Sequence, residues 1–131
     1  MSVSETNTPD SFAEVFAPLR ALLTPFARRL YVAEDTGTVY TLFVAAATGK
    51  QPPTYFASVG IRKSYVSFHL PPTYYYSELL DDLPAALRAR MQGKTCFNFK
   101  RVETERFAEL ADLVKKTFAH CEAEGLILPQ G

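Results

Sequence analysis

The sequence predicts an α+β domain: an antiparallel sheet of about five strands, with an N-terminal and a C-terminal helix packed on one face. Three observations carry this. Apolar residues recur every three or four positions near both ends of the chain, the pattern of a helix that buries one side. Between them lie short alternating or aromatic segments bounded by turn residues, which read as strands. The early strands are joined too tightly for parallel crossovers, which need a dozen residues or more, so the sheet is antiparallel. The chain has 131 residues, 47% of them apolar, with ten Phe and seven Tyr. That is one domain's length with enough ring surface for one core. The domain is expected over residues 10–125, between tails at 1–9 and 126–131.

The elements follow in order. Ser11 and Glu14 have the spacing of a capping box, in which a hydroxyl caps a free N–H and a carboxylate reaches back. Phe12, Phe16, Leu19, Leu23, Phe26 and Leu30 then mark one helix face, expected to bend or break near Pro18 and Pro25. Tyr31 to Glu34 and Thr38 to Ala45 read as strands joined by Asp35-Thr36-Gly37. A loop from Ala46 to Pro53 leads to strands Thr54 to Gly60 and Ile61 to Leu70, turning at Gly60. In the second of these Val66, Phe68 and Leu70 point one way, and Lys63, Tyr65, Ser67 and His69 the other.

Pro71 and Pro72 end that strand, because proline cannot donate to the ladder. Tyr74, Tyr75 and Tyr76 lead through a short turn at Ser77 and Glu78. A helix is expected from Pro84 to Gln92, with Gly93 as its stop. Thr95 to Phe99 alternates as a last strand, with Phe97 and Phe99 on one face and Cys96 and Asn98 on the other. The final helix is expected from Thr104 to Glu122, with Phe107, Leu110, Ala111, Val114 and Phe118 inward and Gly125 as cap.

The formal charge is zero, from 14 basic and 14 acidic residues, which argues against a coat for nucleic acid or an anionic membrane. The basic residues are nevertheless concentrated in the middle. Lys50, Arg62, Lys63, Arg88, Arg90, Lys94, Lys100 and Arg101 face only Glu78, Asp81 and Asp82 within residues 50–101. Cys96 and Cys121 have no metal-ligand spacing, and the start of the chain lacks the pattern of a signal peptide. The longest apolar run, Leu42 to Ala47, is far below a membrane span. These features predict a cytoplasmic protein with reduced thiols.

Lys63 to Leu70, Arg90 to Lys100 with its Met-Gln-Gly-Lys-Thr-Cys-Phe-Asn-Phe run, and Phe107-Ala108-Glu109-Leu110 together resemble the bacterial YdhG-like domain family. Leu22 to Phe26 and Asp35-Thr36 fit the same pattern more loosely. The resemblance spans about residues 12–119. It implies a small α+β domain on an antiparallel sheet and, through a label carried by some members, a frataxin-like iron carrier. The residues themselves oppose that label. A hard cation needs clustered oxygen ligands, whereas the first helix sets Glu14 beside Arg20, Arg28 and Arg29.

The chemical candidate is the sheet's outward face. Lys63, Tyr65 and His69 on one strand, and Asn98 on the last, share it if the two strands are neighbours, with Arg90 and Lys94 at its edge. Ammonium and guanidinium groups beside tyrosine rings suit a small anionic ligand, although ordinary alternation gives any solvated sheet face a similar look. Cys96 shares that parity, so a couple with His69 is conceivable, but no spacing in the sequence supplies the distance. Gly93-Lys94-Thr95 is not a phosphate loop, because Arg88 stands where the earlier glycine must be. No catalytic residue, metal ligand or cofactor is implied by a motif. The tyrosine run fits either loop packing or a contact between copies in a homodimer.

The expectation is a non-enzymatic binding or interaction domain for a small anion or a protein partner, with no membrane or nucleic-acid role. A metal carrier is the alternative, and a small enzyme using the His69 and Cys96 region comes third.

Overall fold

The computed structural model of the chain describes residues 9–44, 54–93 and 95–125. The loop expected at Ala46 to Pro53 and the outer part of each tail lie outside the described residues, as does Lys94. The first helix, α1, spans Pro9–Ala21, and a 3-10 turn over Thr24–Arg29 follows it. It begins two residues before the capping box at Ser11 and Glu14, because proline is well suited to a first helical turn. Pro18 is carried inside α1, and the break falls just ahead of Pro25.

Six strands form one open antiparallel sheet, one more than expected. They are β1 (Tyr31–Asp35), β2 (Val39–Val44), β3 (Thr54–Ile61), β4 (Val66–His69), β5 (Met91–Gln92) and β6 (Cys96–Phe99), in the order β1-β2-β3-β4-β6-β5. Between β4 and β5 lie α2 (Pro72–Tyr75), a 3-10 turn (Ser77–Leu80) and α3 (Ala85–Arg88). The long C-terminal α4 covers Thr104–Ala123.

Two expectations are corrected here. The strands on either side of Gly60 do not turn there. Gly60 lies within β3, and Arg62 N–H donates to Tyr65 O at 2.7 Å, so residues 62–65 form the turn. Arg62-Lys63-Ser64 is the polar stretch that tolerates full solvent exposure, whereas residues 55–59 are needed in the sheet. Lys63 therefore sits at a turn and not on a strand. The helix expected from Pro84 to Gln92 ends at Arg88, and Met91–Gln92 pairs with β6 instead. Asn98 N–H donates to Arg90 O at 2.9 Å, and Gly93 has a φ of +72°. Gly93 thus turns a short hairpin between β5 and β6, for which a left-handed residue is suited.

One face of the sheet carries the core. Leu42, Phe56, Val59, Val66, Phe68, Phe97 and Phe99 meet Val15, Leu19 and Leu23 from the N-terminal segment, with Leu110, Leu113 and Val114 from α4. Phe56 meets the Phe118 ring edge-on at 6.0 Å, and Phe99 meets Phe107 the same way at 4.9 Å. The bulge opposite Leu42 and Phe43 lets both Phe56 and Ala57 be fully buried. The inward stripe of α4 includes Leu113, Thr117 and Cys121, while Ala111 is only half-buried. Each buried phenylalanine contributes roughly 1.5–3 kcal/mol relative to exposure. Gly125, at φ +81°, follows the end of α4 as expected.

No described helix packs on the opposite, open face, yet Thr41, Ser58 and Ser67 on it are buried. Thr41 and Ser58 share a hydrogen bond of 3.1 Å on that face, and Thr41 donates to Glu34 at 3.2 Å. Among the described residues, no helix is long and apolar enough to cross a membrane.

Candidate functional site

The pairing of β4 with β6 determines what the open face presents. Leu70 N–H donates to Thr95 O at 2.7 Å, which makes residues 70 and 95, and then 68 and 97, hydrogen-bonded pairs. His69 with Cys96 and Ser67 with Asn98 are therefore non-hydrogen-bonded pairs, in which facing side chains come closest. His69 Nδ1 lies 2.9 Å from Cys96 Sγ and 3.1 Å from Thr95 Oγ1. The Tyr55 ring meets the imidazole edge-on at 5.2 Å and stacks on Phe43 at 5.1 Å. Burial, with the Arg62 guanidinium adding to it, holds His69 below the usual histidine range. Its imidazole is thus neutral at neutral pH and available to accept a proton.

One step along the same face, beyond Asn98, lies a cleft of about 620 Å³. Tyr65 closes one side, Ala89 to Gln92 another, and Asn98, Lys100, Arg101 and Glu103 the third. The β5–β6 hairpin and the 62–65 turn bring these three separated segments together. Arg90 Nε donates to both carboxylate oxygens of Glu103, at 3.1 and 2.8 Å. Lys100 and Arg101 make no ion pair among the described residues. The cleft thus carries three cations against one carboxylate. Asn98 Oδ1 is buried and has no hydrogen-bond partner among the described residues. A buried polar atom left so costs about 1–3 kcal/mol.

Of the expected site residues, Tyr65, Arg90 and Asn98 line the cleft. His69 is on the same face but pairs with Cys96, and Lys63 is exposed in its turn, outside the lining. Met91, Gln92, Lys100, Arg101 and Glu103 complete the lining from outside the expected site set, although the sequence places Lys100 and Arg101 in its basic middle and offers Glu103 as a weak metal-binding acid. The adjacent Lys100 and Arg101, directly after the alternating β6, were the available signal. Among the described residues, no group of three or more His, Cys, Asp or Glu can hold a metal ion. Glu103 is bound by Arg90, and Glu105 and Glu109 are bound by Arg106.

The rest of the surface offers less. Tyr74 and Tyr75 are exposed, whereas Tyr76 lies 4.3 Å from the His120 ring. Glu78 and Glu124 stand 3.7 and 3.8 Å from His120 Nε2.

Fold and site together define an α+β domain with one helix-covered sheet face and one open face bearing a basic cleft. No family model matches the chain, and no curated protein or solved structure matches it.

Proposed function

We propose that this chain is a small cytosolic, non-enzymatic domain of the YdhG-like kind that binds a small anion in the cleft on its open sheet face. The observation that carries this reading is Asn98 Oδ1, buried without a partner beside the unpaired cations Lys100 and Arg101. The cations supply charge-assisted donors for a carboxylate or phosphate. The amide oxygen asks for a donor, so the favoured ligand carries a hydroxyl or amine as well as its negative charge. The rings and stem of Tyr65 and Met91 give it an apolar wall.

A thermal-shift titration against hydroxy acids, amino acids, sugar phosphates and nucleotides tests this. Ligand at about a hundred times its dissociation constant adds ~2.7 kcal/mol, several degrees for a domain of this size. The shift is expected to disappear in Asn98→Ala and in the Lys100→Gln/Arg101→Gln pair. Lys63→Ala, outside the cleft, is expected to retain it. A shift insensitive to the cleft variants, or none with any anion, contradicts the reading. A saturable shift with anaerobic Fe(II) alone would favour the metal-carrier alternative that the family resemblance implies.

A further inference from the structure

We infer that Cys96, held against His69 on the open face, is a thiol-modification site that exchanges with small anionic disulfides. Nucleophile and base are already within reach of each other, with Nδ1 2.9 Å from Sγ. Cys96 is a half-buried residue, which leaves it the more accessible of the two cysteines, since Cys121 is fully buried. The alternation along β6 puts Asn98 on the same face, about 7 Å further along. Arg62 is near enough to act on His69, and the cations of the cleft begin beyond Asn98 on the same face, so together they favour a reagent that carries carboxylates. The inference leans on the charge of the cleft and not on a reversible ligand there, so silence in the anion panel leaves it standing.

The step balances as an exchange. Sγ attacks one sulfur of the reagent, the Cys96–S bond forms, and the reagent's S–S bond breaks. His69 Nδ1 takes the Cys96 proton and returns it to the departing thiolate. The Cys96 sulfur is oxidised to the disulfide level, and the leaving sulfur is reduced to a thiol. The β6 backbone is paired on both sides and so offers no free N–H to the oxyanion that acyl transfer at the same sulfur would develop. Displacement at sulfur develops no such oxyanion. With Cys121 in the core behind the sheet, no second thiol of the chain can resolve the adduct. The mixed disulfide therefore persists until an external thiol removes it.

The test uses the full chain with dithiobis(nitrobenzoate), a dianionic disulfide, and cystamine, a cationic one, each rate taken relative to free cysteine. Native protein is expected to release one equivalent of chromophore, with the second only after unfolding. Peptide mass mapping should place the adduct on Cys96, and Cys96→Ser should abolish the native phase. His69→Asn is expected to slow the reaction about tenfold or more, since base assistance of this type is typically at least that large. The wild-type chain is expected to prefer the dianionic reagent, a comparison that needs no variant to fold. Modification of Cys121 first, equal relative rates for the two reagents, or an unchanged rate in folded His69→Asn would each overturn the inference.

Discussion

His69 links the chemistry of the open face to the stability of the fold. Its neighbours are Cys96 and Thr95 on β6, the Tyr55 ring on β3, and the charge of Arg62 in the following turn. Burial comes first and Arg62 second in lowering its proton affinity. The unfolded chain, where the imidazole returns to about 6.5, then binds more protons than the folded one below that pH. The stability His69 contributes is therefore fully present above about pH 7 and is lost as the pH falls through the lowered folded value. For one proton the slope is at most about 1.4 kcal/mol per pH unit. The melting temperature is expected to fall from pH 7 towards pH 5, and His69→Asn to flatten that fall. Cys121 behaves differently: burial first, and Glu124 second, push its thiol up to about 11, so it stays protonated and inert. The sequence shows that His69 and Cys96 share a parity. It does not show that β4 and β6 are neighbours in the non-hydrogen-bonded register, because β5 and three helical turns intervene in the chain.

At the scale of elements, legibility follows length. The α1 stripe and the α4 stripe each repeat over several turns, and β4 and β6 alternate with large aromatic residues, so their inward faces were readable. Two-residue β5 has no period to read, and Pro84 with Ala85-Ala86-Leu87 suggests a helix that continues. Its edge pairing is decided by tertiary contact with β6. The same is true of Arg20 and Arg29, which sequence sets on a basic helix. Arg20 forms a forked pair with Asp35 at 3.0 and 3.1 Å and lies 4.4 Å over the Tyr40 ring. Arg29 reaches Glu122 at 2.6 Å, so each arginine ties the N-terminal segment to a different element. Gly93 gives the element-scale prediction. A Cβ there meets nothing within 4 Å, so Gly93→Ala pays only for its φ of +72°. The expected cost is about 1 kcal/mol, and Gly93→Asn should cost less, as read by urea unfolding. Equal stability of glycine and alanine at 93 would contradict the hairpin geometry.

For the whole molecule, the division of labour is between the two faces of one sheet. The helix-covered face holds the fold together through interlocked phenylalanines, and the open face is left for chemistry. The outward set was readable as a face, but the cleft was not, because its walls come from residues 65, 89–92 and 98–103. Only the β5–β6 hairpin and the 62–65 turn bring those segments to one place, and a sequence read strand by strand does not contain that meeting. The most direct test of the cleft is an amide NMR titration of the isotope-labelled chain with whichever anion stabilises it most. The account predicts saturable shifts centred on Tyr65, residues 89–92 and residues 98–103, with α1 and α4 from Leu110 onward unmoved. Saturable shifts centred on the helix-covered side, or on Tyr74 and Tyr75, would contradict it.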